Sequence, residues 1–256
     1  MSKMAENWDY SQQAEYYKYR PNYPSKVIDC IIEYADLASK NNFNIADIGA
    51  GTGNLTVLLT KYPCSITAVE PTLAMSDIGK KRTENFKQVT WVTADGCNTT
   101  LADNTYDLVT FGSSFNVLDR EKALIETARI LKKDGTFSCM WNHRDLNEGF
   151  QKEVEAIIME VVPEYERGVR RQDQRAVIEN SNLFTDMMYL EMDFTFRQTV
   201  ENFISAWKSV KNKYWDLATP EGEKIFNQIC DKIRSKLPPE FSIKYTCRSW
   251  SAKRKK

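Results

Sequence analysis

The sequence predicts an α/β protein in which a doubly wound, mostly parallel sheet of about seven strands carries helices on both faces. Short apolar runs alternate with helix-like stretches from about residue 43 to residue 141, the pattern of parallel strands joined by helices. Two later runs alternate apolar and polar residues, which predicts an antiparallel pair at one edge of the sheet. The chain has 256 residues, 42% of them hydrophobic and 27% charged, which suits one packed domain.

The elements before residue 142 follow in a regular order. Residues 1–24 are rich in aromatic side chains and are predicted to form an N-terminal lid, followed by a helix that begins at the N-cap Ser25 and runs to about Ser39. A second clear helix begins at the N-cap Asp119, carries Lys132 and Lys133 in its last turn and stops at Gly135. Strands are predicted at residues 43–48, 65–70, 89–93, 106–111 and 136–141.

The rest of the chain is predicted to be an insertion rather than a second domain. No linker rich in Gly, Ser or Pro interrupts residues 25–256, so we expect one domain with capping helices within residues 145–240. The helices are expected near residues 148–162, 173–181, 200–211 and 221–236, and the antiparallel edge strands at 188–197 and 241–251.

Charge and composition restrict the possible partners. Lysine and arginine total 35, as do aspartate and glutamate, so no net charge attracts nucleic acid or anionic lipid, and a small-molecule partner is favoured. No apolar stretch is long enough to span a membrane and the start lacks a signal-like segment, which predicts a cytoplasmic monomer or homodimer. The six cysteines lie far apart and the chain has one histidine, so we expect no metal site.

A glycine-rich segment follows the first strand. Residues 44–56 read NIADIGAGTGNLT, so Asp47 ends an apolar run, and Gly49, Gly51 and Gly53 alternate before a helix. A turn without β-carbons at a helix N-terminus lets a ligand lie against the backbone, although three glycines can also form only a tight turn. A dinucleotide fingerprint wants Gly or Ala where this chain has Asn54, which disfavours a nicotinamide-dependent dehydrogenase.

Two more carboxylates are predicted at the same edge. The second strand ends in Glu70-Pro71 and the third in Asp95-Gly96, and ligands of open α/β sheets bind at the carboxyl ends of the strands. A carboxylate at position 70 can accept both hydroxyls of a ribose, and one at position 95 suits an adenine amino group. An ordinary exposed glutamate is the simpler alternative for Glu70.

These motifs resemble those of the class I S-adenosylmethionine-dependent methyltransferases, most closely the small-molecule (type 11) group that includes trans-aconitate methyltransferases. The similarity extends over nearly the whole chain and rests on YRPNYP, ADIGAGTG, AVEPTLAM, TADG, FGSSFNVLDR and ARILKKDGTFSCMWNHRD, in the family's order. The resemblance implies a Rossmann-like fold in which residues 25–256 form the methyltransferase domain. It also implies S-adenosylmethionine as cofactor and S-adenosylhomocysteine as product.

The resemblance assigns residues to parts of the ligand. It implies that the glycine turn holds the methionyl part, that the lid covers the cofactor, and that residues 112–116 line the methyl-transfer side. The implied cofactor-binding residues are Asp47, Gly49, Gly51, Gly53, Glu70, Pro71, Met75, Asp95, Gly96, Gly112, Arg20 and Tyr16. The expected substrate contacts are Tyr19, Phe115, Trp141 and Trp207, the last of which is an aromatic at helical spacing that core packing would also explain.

The catalytic residues are less defined. Relatives often carry His-Trp after the residue that matches Phe115, whereas this chain has Asn116 and Val117. His143 is the one imidazole in the chain and follows the fifth strand, so His143 and Asn116 are the candidate catalytic residues, with a structural role for His143 as the alternative. Methyl transfer from a sulfonium is an in-line displacement that alignment and exclusion of water can promote without a base.

The predicted activity is therefore methyl transfer to a small-molecule acceptor, at a carboxylate, hydroxyl, amine or activated carbon. Two alternatives on the same fold stay open. One is an RNA or protein methyltransferase, which the balanced charge disfavours. The other is a protein that binds the cofactor without catalysis, which the Asn116-Val117 pair suggests.

Overall fold

A computed structural model describes residues 10–166 and 172–256. The first nine residues of the predicted lid, including Trp8, lie outside the described residues. Within the described ranges, no helix combines the length and the apolar character that crossing a membrane requires.

The sheet confirms the predicted fold class. Its seven strands lie in the order β3-β2-β1-β4-β5-β7-β6; β7 pairs antiparallel with both β5 and β6, and the other neighbours are parallel. The strands are β1 Phe43–Ile48, β2 Cys64–Val69, β3 Val89–Val92, β4 Tyr106–Gly112, β5 Leu131–Arg144, β6 Phe184–Thr199 and β7 Glu240–Arg254.

Helices connect the strands and cover both faces. A 3-10 helix, Ala14–Tyr19, precedes them, and a short 3-10 turn, Phe115–Val117, follows β4. The α-helices are α1 Ser25–Tyr34, α2 Asn54–Leu59, α3 Leu73–Thr83, α4 Arg120–Ile130, α5 Gly149–Val161, α6 Arg175–Asn180, α7 Val200–Lys208 and α8 Pro220–Lys236.

The core lies on both sides of β1 because successive strand residues point to opposite faces. Phe43 and Ile45 pack with the apolar face of α1, while Ala46 and Ile48 pack with the buried face of α4. All four side chains are buried. This double burial fixes the register of β1 and therefore the position of the glycine turn that follows it.

The predicted boundaries of two helices are wrong. Helix α4 has the expected N-cap, since Asp119 accepts the Lys122 N–H, but it ends at Ile130 instead of Gly135. Leu131 is extended and pairs with Tyr106 of β4, so β5 begins five residues before the predicted start. Helix α1 begins at Ser25 itself, with Pro24 as the N-cap, and ends at Tyr34 before the left-handed residue Asp36.

The inserted helices form a third apolar cluster beside the sheet. Helices α5, α7 and α8 pack with the first half of β7 around Trp207 and Trp215. The N-terminal 3-10 helix contacts α7 and α3, so the described part of the predicted lid lies between the inserted helices and the strand ends.

Candidate active site

A cleft of about 560 Å³ opens at the carboxyl ends of β1 to β4. Strand β1 lies between β2 and β4, so the chain order reverses there, which is the usual ligand site of an open α/β sheet. Among the predicted cofactor residues, ten line this cleft: Arg20, Asp47, Gly49, Gly51, Glu70, Pro71, Met75, Asp95, Gly96 and Gly112.

The glycine turn approaches its neighbours too closely for side chains. Gly49 and Gly51 have φ values of +64° and +58°, the left-handed region that favours glycine. A Cβ on Gly49 would lie 2.5 Å from the Ser114 Cβ, so the loop after β4 is seated directly against the turn. Gly53 is outside the cleft wall and faces the Trp91 ring and Gly79, which gives it a packing role.

Glu70 is held at the end of β2 by two backbone N–H groups. Its Oε2 accepts the Gly51 N–H at 2.9 Å, and its Oε1 accepts the Thr72 N–H at 3.0 Å. Each carboxylate oxygen has a second acceptor site, so the side chain can still accept two hydroxyls. Burial raises the pKa of Glu70, and the two N–H groups oppose that rise.

Asp47 is the most deeply buried carboxylate of the cleft. Its oxygens accept the hydroxyls of Thr56 at 2.6 Å and Thr110 at 3.1 Å. Burial raises the pKa of Asp47 to about 6, while the two hydroxyls act in the opposite direction. Because these partners are neutral hydroxyls, a positively charged ligand group would be a favourable further partner for the buried carboxylate.

The third strand end provides a polar loop with an apolar wall. Asp95 accepts the N–H of Cys97 at 2.7 Å through Oδ1, which orders the loop after β3. Met75 and Leu118 line the cleft near it, and apolar walls of this kind hold a flat ring such as adenine. Sequence reasoning missed Cys97, Leu118 and Lys122, whose positions depend on how the β4 loop meets the β3 loop.

The lid residues divide between the cleft and the inserted helices. Arg20 lines the cleft, yet its Nε and Nη2 donate to the Ser209 hydroxyl and carbonyl, both at 2.7 Å. Its guanidinium also lies 4.0 Å from the centre of the Tyr17 ring. Tyr16 and Tyr19 are not on the cleft wall; the Lys208 ammonium lies over the Tyr16 ring.

Two further hydroxyls line the cleft at the end of β4. The Tyr23 and Ser113 oxygens are 2.7 Å apart, and Ser113 has a left-handed φ of +60°. Ser113 falls in the predicted 112–116 stretch. Tyr23 was missed as a site residue, although its place in the YRPNYP motif was a usable signal. Tyr10 and Tyr17 line the cleft as well.

The predicted catalytic and substrate residues lie behind the cleft wall. Asn116 accepts the Trp141 indole N–H at 2.8 Å, and Phe115 is fully buried against Phe111 and Phe137. His143 is buried on β5 opposite Thr246. Trp207 packs in the inserted cluster beneath the Arg144 guanidinium. The roles assigned to Asn116, His143, Phe115, Trp141 and Trp207 therefore stay predictions.

Comparison with known proteins gives the class. Residues 46–139 match the model of a family described as a methyltransferase domain, and this segment runs from the second half of β1 through β4 and into β5. Over this segment, which is a little over a third of the chain, the sequence is similar to a methyltransferase domain. The cleft is suited to S-adenosylmethionine, the cofactor that the sequence motifs imply: Glu70 offers acceptors to a ribose, and Asp47 offers a buried negative charge to a cationic group.

Particular relatives extend the comparison. An uncharacterized methyltransferase of Mycobacterium tuberculosis is 30% identical over 143 residues, 56% of this chain and 55% of the relative. The ubiquinone/menaquinone biosynthesis C-methyltransferase UbiE of Zymomonas mobilis is 31% identical over 127 residues, 48% of this chain and 52% of the relative. This chain thus spans about half the length of the curated relatives it matches.

Solved structures agree with the fold. The YcgJ protein of Bacillus subtilis has a TM-score of 0.56 at 15% identity, covering 90% of this chain and 99% of that one. Phosphoethanolamine N-methyltransferase 2 of Haemonchus contortus, solved with phosphomonomethylethanolamine and S-adenosylhomocysteine, has a TM-score of 0.52 at 16% identity over 90% of this chain and 53% of that one.

Proposed function

We propose that this protein transfers a methyl group from S-adenosylmethionine to a small-molecule acceptor. One observation carries the proposal: Asp47, Glu70 and Asp95 meet in a single cleft with the glycine turn, each at the end of a different strand. A cleft of about 560 Å³ is in the range of small-ligand sites. The balanced charge of the chain and the tyrosine-rich lid beside the cleft support a small acceptor over a nucleic acid.

The bound cofactor would supply a methyl group on a positively charged sulfur. In our proposal the glycine turn and Glu70 fix the nucleoside, while Asp47 offsets positive charge at the amino-acid end. Tyr17 and Arg20 close the cleft against water, which favours a displacement that needs alignment. Asn116 and His143 are the proposed groups for an acceptor that must lose a proton, although both lie behind the wall.

The test has two stages. Calorimetric titration with S-adenosylhomocysteine measures cofactor binding, and Glu70→Gln is expected to weaken it about tenfold or more because a charge-assisted acceptor for the ribose is lost. Incubation with methyl-labelled cofactor and separate pools of small acids, phenols, amines, bulk RNA and protein then identifies the acceptor class. A chain that binds no S-adenosylhomocysteine, or that labels only RNA or protein, contradicts the proposal.

A further inference from the structure

The two edges of the sheet are protected unequally. At one edge β3 has four residues, whereas at the other edge β6 has sixteen. From Met188 to Thr199 the pairing of β6 with β7 is continuous, and this stretch contains no proline, lysine or bulge. Proteins usually shorten or interrupt an exposed edge strand by such means, because its unpaired N–H and C=O groups can pair with another chain.

The hydrogen bonds to β7 determine which backbone groups of β6 point outward. The Val200 N–H, directly after β6, donates to the Pro239 carbonyl at 2.9 Å. Residues of an antiparallel strand alternate between bonding to one neighbour and pointing away from it, so the even-numbered residues of this stretch bond to β7. The residues that point outward are Glu191, Asp193, Thr195 and Arg197. Within residues 10–166 and 172–256, no strand pairs with that outer side.

The side chains of this stretch differ between the two faces of the sheet. One face carries apolar side chains that are only half-buried: Leu190, Met192, Phe194 and Phe196. The other face carries the four outward residues, which are exposed and have acidic side chains toward one end and a basic side chain at the other. Such a strand is complementary to a second copy of itself that runs antiparallel.

We propose that β6 pairs antiparallel with β6 of a second copy of this chain, about a two-fold axis that passes through Phe194. In this register the two Phe194 rings lie opposite each other, and Met192 lies opposite Phe196 of the second copy. These contacts cover the apolar side chains that one copy leaves half-buried. An axis through Thr195 would instead set Met192 opposite the polar Gln198.

The same register brings opposite charges together. Glu191 lies opposite Arg197 of the second copy, and on its other side its carboxylate is 2.7 Å from Arg248 of β7. Charges therefore alternate in sign along this row of strands. The outward N–H and C=O groups form about eight hydrogen bonds between the copies. Exposed ion pairs contribute little stability, so the charges select the register and the backbone and apolar contacts hold the pair.

The pairing leaves both clefts accessible. The cleft lies at the carboxyl ends of β1 to β4, and β5 and β7 separate β4 from β6. A two-fold axis perpendicular to the sheet turns the second copy by half a turn, so the two clefts open in opposite directions. The inference is therefore independent of the proposed function.

Analytical ultracentrifugation of the whole chain tests the pairing. Wild type is expected to sediment at twice the mass of a single chain at micromolar concentrations. Thr195→Pro removes one outward N–H, and proline is tolerated on an edge strand where its nitrogen does not face the neighbouring strand. We expect this variant to be monomeric. The matched control Thr195→Val keeps the N–H and should remain dimeric.

A pair of charge reversals tests the register. Glu191→Lys sets like charges opposite each other at two places in the dimer and is expected to weaken it about tenfold. Asp193→Lys is the matched control, because it also loses an ion pair to β7, with Lys244 at 3.5 Å. Asp193 lies opposite the neutral Thr195 of the second copy, so this control should weaken the dimer by about threefold or less.

The outcomes separate the possibilities. Wild type that sediments as a monomer, or a dimer that persists in Thr195→Pro, overturns the proposal. Greater weakening by Asp193→Lys than by Glu191→Lys overturns the register, because an axis through Thr195 sets residue 193 opposite Arg197. Urea unfolding checks that each variant is folded, and Glu191→Lys decides if Thr195→Pro is not. Affinity for S-adenosylhomocysteine should be unchanged in every variant, since β6 does not line the cleft.

Discussion

The strand-end cleft and the inserted helices of this protein are built by different means. In the cleft the backbone does most of the positioning: two left-handed glycines shape the turn, and two backbone N–H groups hold Glu70. In the insertion, side chains pack on one another. Trp207 and Trp215 are 5.8 Å apart between ring centres, and the Arg144 guanidinium lies 4.4 Å from the centre of the Trp207 ring.

The difference determines which of the two regions a sequence motif can describe. A backbone turn needs only a few glycines at fixed places, so a short motif preserves it while other residues change. A packed cluster tolerates many combinations of similar volume and leaves no motif. The family model accordingly ends at residue 139, before the insertion begins. A sequence motif can therefore reveal the cleft, whereas it cannot reveal the insertion.

The largest expected effect comes from a β-carbon on Gly49. Its Cβ would lie 2.5 Å from the Ser114 Cβ at a left-handed φ, whereas a Cβ on Gly149, also left-handed, meets nothing within 4 Å. Gly49→Ala should lower the unfolding free energy by about 3 to 4 kcal/mol and abolish S-adenosylhomocysteine binding. Gly149→Ala should lower the unfolding free energy by about 1 kcal/mol and leave that binding unchanged. Urea unfolding measures the stability of each variant, and calorimetry measures its ligand affinity. Similar losses of stability and affinity in the two variants would contradict the prediction.

A second large effect concerns Asp47 and pH. Because burial raises its folded-state pKa from 3.8 to about 6, the folded state binds its proton more tightly than the unfolded state, and this stability is lost as pH rises from about 4 to 6. The free energy of unfolding should therefore fall about 3 kcal/mol less over this pH range in Asp47→Asn than in wild type. Some dependence of the unfolding free energy on pH should remain in the variant, because the pKa of Glu70 is also raised. Urea unfolding at pH 4 to 7 checks this, and an unchanged slope would be inconsistent with burial of the charge.

Local sequence patterns were sufficient to predict most of the helices and strands. The run Phe43–Ile48 was predicted to the residue because both faces of β1 are buried, two asparagines precede it and the glycine turn follows it. The end of α4 was missed because Leu131, Lys132 and Lys133 fit a helix locally, and only the pairing of Leu131 with Tyr106 extends the backbone there. Contact with a strand distant in sequence overrides local preference in such cases.

In the candidate site too, features set by local sequence were predicted, and features set by contacts distant in sequence were missed. Glu70 and the glycine turn were located because strand ends and missing β-carbons are visible in a sequence. Tyr23 was not assigned a role, because its partner Ser113 is 90 positions away and the bond between them exists only in the folded chain. Trp207 was expected at the substrate, yet aromatic side chains on one helix face also suit the core, and that is where it lies.

Removing the charge that the end of β5 places against the insertion should leave cofactor binding intact. The Arg144 guanidinium lies over Trp207 and Phe203, and its Nε donates to the Tyr245 hydroxyl at 3.2 Å. Arg144→Met should lower the unfolding free energy by about 1 to 2 kcal/mol and keep S-adenosylhomocysteine affinity within twofold. A tenfold loss of affinity in a folded variant would show that the insertion contributes to cofactor binding after all.

The smallest expected effect lies at a contact between the lid and the sheet. Asn142 of β5 donates to the carbonyls of Pro21 and Asn22 at 3.3 and 3.2 Å, just after the Arg20 contact with Ser209. These bonds are long, so Asn142→Ala should cost only about 0.5 to 1 kcal/mol. The tether should nevertheless protect the lid, and we expect trypsin to cleave after Lys18 several times faster in the variant. Equal cleavage rates would mean that Arg20 and the aromatic contacts hold the lid without help from β5.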